Sequence, residues 1–176
     1  MRIFTAIPLP KKTRDMVGEI TRGRLPIPYI NTTNLHITLN FFGELTDPEL
    51  EKIKQNFLQF TSNQEAFNIE FEAITKFRNQ LHMTIATNTE LNKLQGYLEK
   101  QFQALGYKFQ DHEYYAHVKL GNLHMDNVMN QQRKVENFPK EELRKLSFRA
   151  ETITLYESKL LLHHPKYIPL MEQKLL

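Results

Sequence analysis

Residues 35–42, Leu35-His36-Ile37-Thr38-Leu39-Asn40-Phe41-Phe42, decide the fold. The run is apolar and β-branched and is closed by Gly43, so it reads as a strand. Alternate side chains of a strand point to opposite faces. His36, Thr38, Asn40 and Phe42 therefore share one face, while Ile37, Leu39 and Phe41 share the other and enter the core. An imidazole and a hydroxyl stand together on a strand anchored by its apolar side.

Upstream, residues 2–9 read as a strand that ends at Pro8 and Pro10. Met16, Val17 and Ile20 then make residues 11–22 a short amphipathic helix, with Pro26 and Pro28 in an irregular link. Downstream, Thr46-Asp47-Pro48-Glu49 combines a capping box with proline in the first turn, and Leu50, Ile53, Phe57 and Phe60 follow at helical spacing. Residues 67–76 and 81–87 read as strands joined through Phe77-Arg78-Asn79-Gln80. Leu91, Leu94, Leu98, Phe102 and Leu105 mark a second strong helix stopped by Gly106, and residues 115–121 form a further strand. The segment 124–145 is polar and basic, with short helices and loops expected, and strands are expected at 148–156, 159–162 and 167–171.

Strand 2–8, a helix and strand 35–42 resemble strand 81–87, a helix and strand 115–121. The second strand of each unit carries a histidine. This weak repeat suggests two lobes related by an approximate twofold axis, which brings the two histidine strands together. In the second motif, His117-Val118-Lys119-Leu120-Gly121, parity places His117, Lys119 and Gly121 on one face, with Tyr115, and sends Val118 and Leu120 to the core.

Two imidazoles, 81 residues apart along the chain (117 minus 36), suit the opening of a cyclic phosphate. That reaction needs one proton taken from water and one given to the departing ribose oxygen, and imidazole titrates near neutral pH. Thr38 and Lys119 are the natural donors to the phosphate oxygens, and no metal is needed.

Competing readings exist for each pattern. His82-Met83-Thr84-Ile85 also matches a His-x-Thr-x motif, but it falls on the strand equivalent to 2–8, so His82 reads as a structural histidine at the surface or partly buried. His163-His164 point in opposite directions within a strand and have no cysteine partner, so they read as structural or solvent-facing rather than metal-binding; His112 and His124 have no pattern of their own. Phe42 and Tyr115 share faces with the histidines and could stack a base, with packing an equal alternative. The basic segment 131–145, with Arg133, Lys134, Lys140, Arg144 and Lys145, could guide a polynucleotide but reads first as a solvated surface.

Composition narrows the class. The 176 residues are 40% apolar and 24% charged, the mix of a soluble globular chain with one domain spanning 1–176. The absence of Cys removes disulfides, thiolate nucleophiles and zinc fingers. The net charge of +3 suits an anionic substrate without suggesting a packaging protein. The start Met1-Arg2-Ile3-Phe4-Thr5-Ala6-Ile7-Pro8 does not read as a signal peptide, and no apolar run approaches the roughly 20 residues of a membrane helix. A cytoplasmic monomer without membrane association is expected, with no cofactor and no metal.

With these motifs the chain resembles the bacterial and archaeal RNA 2′,3′-cyclic phosphodiesterases, also called 2′-5′ RNA ligases, within the two-histidine phosphoesterases. The resemblance runs through Arg2-Ile3-Phe4-Thr5-Ala6-Ile7, Asn34-Leu35-His36-Ile37-Thr38-Leu39, Phe41-Phe42-Gly43-Glu44, Ala116-His117-Val118, Ile153-Thr154-Leu155-Tyr156-Glu157-Ser158 and the tail from Tyr167 to Leu170. It implies an α+β, bilobal fold of two antiparallel sheets facing a central cleft, with helices outside. It implies metal-independent hydrolysis of RNA 2′,3′-cyclic phosphate ends to 2′-phosphate, with reversible 2′-5′ ligation in some members. By residue match the resemblance implies that His36 protonates O3′ and His117 activates water, roles that the pseudo-symmetry allows to be exchanged.

The second motif departs from the family pattern. Lys119 stands where Thr or Ser is usual, Asn122 where a basic residue is common, and Ala116 where Pro is frequent. Lys119 either binds the phosphate as a point charge, and lowers the pKa of His117, or marks a change of function. The alternatives are a non-catalytic binder of RNA or nucleotide ends, and a phosphodiesterase for another cyclic phosphate or a 2′-5′-linked oligonucleotide.

Overall fold

The apolar stretch Arg2–Pro8 forms a strand, β1, whose residues Ile3 to Ile7 are all buried, as the centre of a sheet requires. The computed structural model describes residues 1–27, 30–110, 113–123, 135, 137–161 and 165–176. After β1 come α1 (Lys11–Thr21), a 3₁₀ turn (Thr32–Asn34), β2 (His36–Glu44) and α2 (Asp47–Thr61). The chain continues through β3 (Phe67–Ile69), β4 (Phe71–Phe77), β5 (Gln80–Ile85), α3 (Thr89–Ala104) and β6 (His117–Asn122). It ends with α4 (Lys140–Arg144), β7 (Phe148–Ala150), β8 (Thr152–Leu160) and β9 (Pro165–Lys174).

The helix starts follow from capping. The backbone N–H of Thr46 donates to Glu49 Oε2 at 2.8 Å, and Asn88 Oδ1 accepts from the N–H of Leu91 at 2.8 Å. At the end of α3, Gly106 takes φ +97°, a conformation that favours glycine. Leu50, Ile53, Phe57 and Phe60 of α2 and Leu91, Leu94, Leu98 and Phe102 of α3 are buried, and the two helices pack on each other.

Seven strands pair in the order β4-β5-β6-β2-β1-β8-β9, all antiparallel, and β3 pairs with β7 in a small second sheet. The α+β architecture is as expected, and so are the two strand–helix–strand units, β1-α1-β2 and β5-α3-β6. The two halves, β4-β5-β6 and β2-β1-β8-β9, meet through a single residue pair, Ile37 with Val118. Where two separate sheets were expected, that pair makes them one continuous ladder. Both residues are fully buried, so the seam is held by the core beneath it.

Several boundaries differ. The expected strand 67–76 breaks at Glu70 because its first part pairs with β7 and its second with β5. The expected strands 148–156 and 159–162 become β7 and a long β8, and the last strand runs from Pro165 to Lys174, because β8 and β9 pair along nine residues from Thr152 to Leu160. The two residues Arg78 and Asn79 turn β4 into β5, with Arg78 at φ 52°.

A larger correction concerns Phe41 and Phe42. Register shifts in the β1–β2 ladder, between Thr5 and Ala6 and between Ile3 and Phe4, reverse the parity read from sequence. Phe41 lies opposite Phe4 and is 47% exposed, beneath the Arg2 guanidinium 5.3 Å away. Phe42 packs edge-on against Phe102, Tyr107 and Phe109, so it belongs to the core and cannot stack a base. Asn40, expected on the polar face, is buried, and its Oδ1 accepts from Thr5 Oγ1 at 3.2 Å.

Among the described residues, no helix is long and apolar enough to cross a membrane, and no group of three or more His, Cys, Asp or Glu could hold a metal ion. His112, His124 and His163-His164, and also Arg133 and Lys134, lie outside the described residues; Lys140, Arg144 and Lys145 are exposed.

Candidate functional site

Each motif histidine is held in the same way. His36 Nδ1 lies 2.6 Å from the carbonyl oxygen of Asn34, and His117 Nδ1 lies 2.8 Å from that of Tyr115. A carbonyl only accepts, so each Nδ1 carries a hydrogen and donates. The neutral ring then leaves Nε2 bare, ready to take a proton. Both anchors come from the residue two positions before the histidine, on strands whose buried residues Ile37 and Val118 face away into the core.

The surroundings of the rings differ. His36 Nε2 meets Thr38 Oγ1 at 3.1 Å, so the expected pairing of imidazole and hydroxyl exists. Phe4, Tyr156 and Tyr167 enclose the His36 ring, with Phe4 and Tyr167 each at 5.0 Å between centroids. Asn34 Nδ2 donates to the Pro165 carbonyl at 2.7 Å, tying the entry of β2 to β9. Burial in this aromatic nest pushes the His36 pKa down to about 4; the Asn34 hydrogen bond opposes the shift and His117 adds to it.

His117 is partly buried. Its pKa is lowered by burial first, while the Tyr115 carbonyl raises it and the Lys119 ammonium lowers it again. The influence expected of Lys119 on its neighbour is therefore present. Lys119 itself is lowered by burial, although its side chain remains exposed overall. The pairing of Ile37 with Val118 sets the two motifs side by side, close enough for the charge of His117 to act on His36 and that of Lys119 to act on His117. Tyr114 Oη donates to the Thr38 carbonyl at 2.8 Å, tying the segment that leads into β6 to β2. Thus His36, Thr38, His117 and Lys119 come together on one side of the seam.

Residues 9–160 match the family described as the 2′-5′ RNA ligase superfamily. The chain belongs to the 2′-5′ RNA ligase superfamily. It is 25% identical to an RNA 2′,3′-cyclic phosphodiesterase of Methanocaldococcus jannaschii over 174 residues, covering 95% of this chain and 96% of the relative. It is 27% identical to an RNA 2′,3′-cyclic phosphodiesterase of Archaeoglobus fulgidus over 135 residues, covering 72% of this chain and 75% of the relative. The fold matches that of E. coli LigT complexed with 3′-AMP with a TM-score of 0.78 at 19% identity, covering 99% of this chain and 97% of LigT.

For a member of this superfamily, His82 is the residue that sequence reasoning misplaced. Expected at the surface or only partly buried, it is instead fully buried, 3% exposed, and it lies flat against His117 with centroids 4.0 Å apart and planes 16° apart. Its Nε2 reaches Gln80 Oε1 at 3.0 Å, whereas its buried Nδ1 has no partner among the described residues. Burial, then the charges of His117 and Lys119, push its pKa down to about 4. Strand parity combined with the repeat carried the signal: β5 lies beside β6 as β1 lies beside β2, and residues directly opposite in an antiparallel pair share a face, as His82 and Lys119 do. Phe41, exposed beside the motif, was hidden by the bulge. Tyr115 is 46% exposed and stacks on His117 at 5.0 Å.

Proposed function

We propose that this chain hydrolyses the 2′,3′-cyclic phosphate end of RNA to a 2′-phosphate, without a metal ion, using His36 and His117 as an acid–base pair. The observation that carries the reading is the matched anchoring of the two rings, each Nδ1 on the carbonyl two residues before it, on strands that pair at Ile37 and Val118. Family membership and the names of the archaeal relatives support the same chemistry.

In this reading His117 Nε2 takes a proton from water as the water oxygen bonds to phosphorus. The bond from phosphorus to O3′ breaks, and the proton on His36 Nε2 passes to O3′. Thr38 Oγ1 and Lys119 Nζ donate to the non-bridging oxygens, where negative charge gathers. General acid–base steps contribute about 10²–10⁴-fold each, so the pair supplies a large share of the rate.

The pKa values set a condition on this scheme. With a pKa of about 4, on the order of one His36 in a thousand is protonated at pH 7. A bound phosphodiester anion raises that fraction by favouring the imidazolium, so the acid is charged by its own substrate. Solvent exchange returns both rings to their starting forms after the product leaves. When a ribose 5′-hydroxyl takes the place of water, the same ring opening bonds its oxygen to phosphorus and releases O3′, leaving a 2′-5′ phosphodiester; attack of O3′ on that phosphorus reverses the ligation.

The test is incubation with an RNA ending in 2′,3′-cyclic phosphate in the presence of a chelator. A product ending in 2′-phosphate is expected. Salt-sensitive binding without any product would replace hydrolysis with end recognition alone.

A further inference from the structure

The half of the sheet formed by β4, β5 and β6 carries an aromatic ladder of which the hydrolytic step uses only the His117 ring. Its rungs are Phe77 on β4, His82 on β5, and His117 with Tyr115 at the start of β6. Phe77 lies 5.5 Å from His82 at 26°, His82 lies 4.0 Å from His117 at 16°, and Tyr115 lies 5.0 Å from His117 at 25°. Phe77 and Tyr115 close the cluster at 6.3 Å and 32°. Successive rungs are stacked, while Tyr115 is tilted by 32° to Phe77 and by 34° to His82.

The two ends of this ladder differ from its middle. His82 is buried, whereas Phe77 is 50% exposed and Tyr115 is 46% exposed. A single exposed aromatic needs no explanation. Here two of them share one surface that begins at the proposed reactive imidazole and ends on β4, the edge strand. Tyr115 is held in place by its hydroxyl, 3.3 Å from Thr75 Oγ1. The Arg78 guanidinium stands 5.5 Å from the Phe77 ring centre, in the turn that follows it. Flat rings with an adjacent guanidinium, and Lys119 nearby, suit successive bases and phosphates of a single strand.

We propose that Phe77 and Tyr115, flanked by Arg78, form a stacking shelf for the RNA chain leading to the cyclic end, so that the protein selects a polynucleotide end over a free nucleoside cyclic phosphate. Tyr115, next to His117, takes the nearer base, and Phe77 takes a base further along the chain. This assignment rests on the phosphodiesterase reading for its direction, because His36 and His117 define where the 3′ end lies.

The experiment compares a nucleoside 2′,3′-cyclic phosphate with a short oligoribonucleotide bearing the same end, for the wild type and for Phe77→Ala and Phe77→Trp. The shelf predicts that Phe77→Ala lowers the ratio of oligonucleotide to mononucleotide kcat/KM about tenfold, through KM, and that Phe77→Trp restores it. An unchanged ratio in Phe77→Ala overturns the proposal. A second arm does not need turnover. The chain has no Trp, so the fluorescence of an oligonucleotide carrying 2-aminopurine beside its terminal nucleotide and ending in 2′-phosphate is read without interference. Quenching on binding that disappears in Phe77→Ala supports the shelf even if hydrolysis fails. Binding without quenching, or self-association of the wild type that depends on Phe77, overturns it.

Discussion

The rings of His82 and His117 lie flat on one another, with centroids 4.0 Å apart and planes 16° apart. Two imidazolium ions cannot share that contact, so the pair carries at most one positive charge near neutral pH. His82 is the more deeply buried partner and stays neutral, its pKa pushed to about 4 by burial and by the charges of His117 and Lys119. It acts as a flat, uncharged wall that holds the His117 ring on the Tyr115 carbonyl. Removing the wall with His82→Ala is expected to lower the hydrolytic rate about tenfold and to cost about 2 kcal/mol of stability. His82→Phe keeps the flat ring, and both quantities are expected to return close to wild type, as measured by steady-state rates and thermal unfolding at pH 7.

Burying neutral histidines makes stability depend on pH. His36 and His82 titrate near 6.5 when unfolded and near 4 when folded, so the unfolded chain binds their protons first. Their contribution is complete above pH 6.5, falls as pH drops from 6.5 toward 4, and is gone below. The loss approaches about 3 kcal/mol for His82. Denaturant titrations across this window are expected to show the decline in wild type and a shallower one in His82→Phe.

Lys119 stands where the family resemblance places a hydroxyl, and its charge lowers the pKa of His117. Among the described residues, His82, His36 and Tyr115 also face His117. Lys119→Met is expected to raise the His117 pKa, so the acidic limb of the kcat/KM profile moves to higher pH. The same variant is expected to weaken competitive inhibition by inorganic phosphate about tenfold. Imidazole proton shifts followed by NMR separate the two effects.

The assignment of acid and base is read with a leaving group that needs no proton. An aryl phosphodiester that releases nitrophenolate relieves the acid but not the base. If His36 is the acid, His36→Ala retains most activity on that compound while losing it on RNA, and His117→Ala loses both. Equal losses on the two substrates in both variants would dissolve the assignment, and activity on the aryl compound retained only by His117→Ala would reverse it.

The neighbouring aromatics Phe41 and Phe42 test the bulge in β2. Phe42 packs against Phe102, Tyr107 and Phe109, so Phe42→Ala is expected to cost about 3 kcal/mol. Phe41 is 47% exposed, and Phe41→Ala is expected to change stability by less than about 0.5 kcal/mol. Urea unfolding of the two variants decides between this arrangement and uninterrupted strand alternation.

That bulge also marks where sequence reading ends. The helices of Leu50 to Phe60 and Leu91 to Phe102 were legible because their periodicity and caps are local. The placement of His36 and His117 was legible because each lies within a short run of strict alternation, and the repeat put their strands side by side. Phe41 and Phe42 were exchanged because a bulge is a property of two paired strands, and nothing within 35–42 announces the extra residue. His82 was set aside because its contact with His117 depends on how β5 registers against β6 across the whole of α3. The break at Glu70 was hidden for the same reason: β3 and β4 are separated by their partners, not by their own residues.

The most direct measurement of the central claim is the single-turnover rate on RNA ending in 2′,3′-cyclic phosphate for His36→Ala, His117→Ala and the double variant, each checked for folding by circular dichroism. Two groups working in one step predict a loss of about 10²–10⁴-fold in each single variant and little further loss in the double. A folded single variant that keeps the wild-type rate would contradict the account.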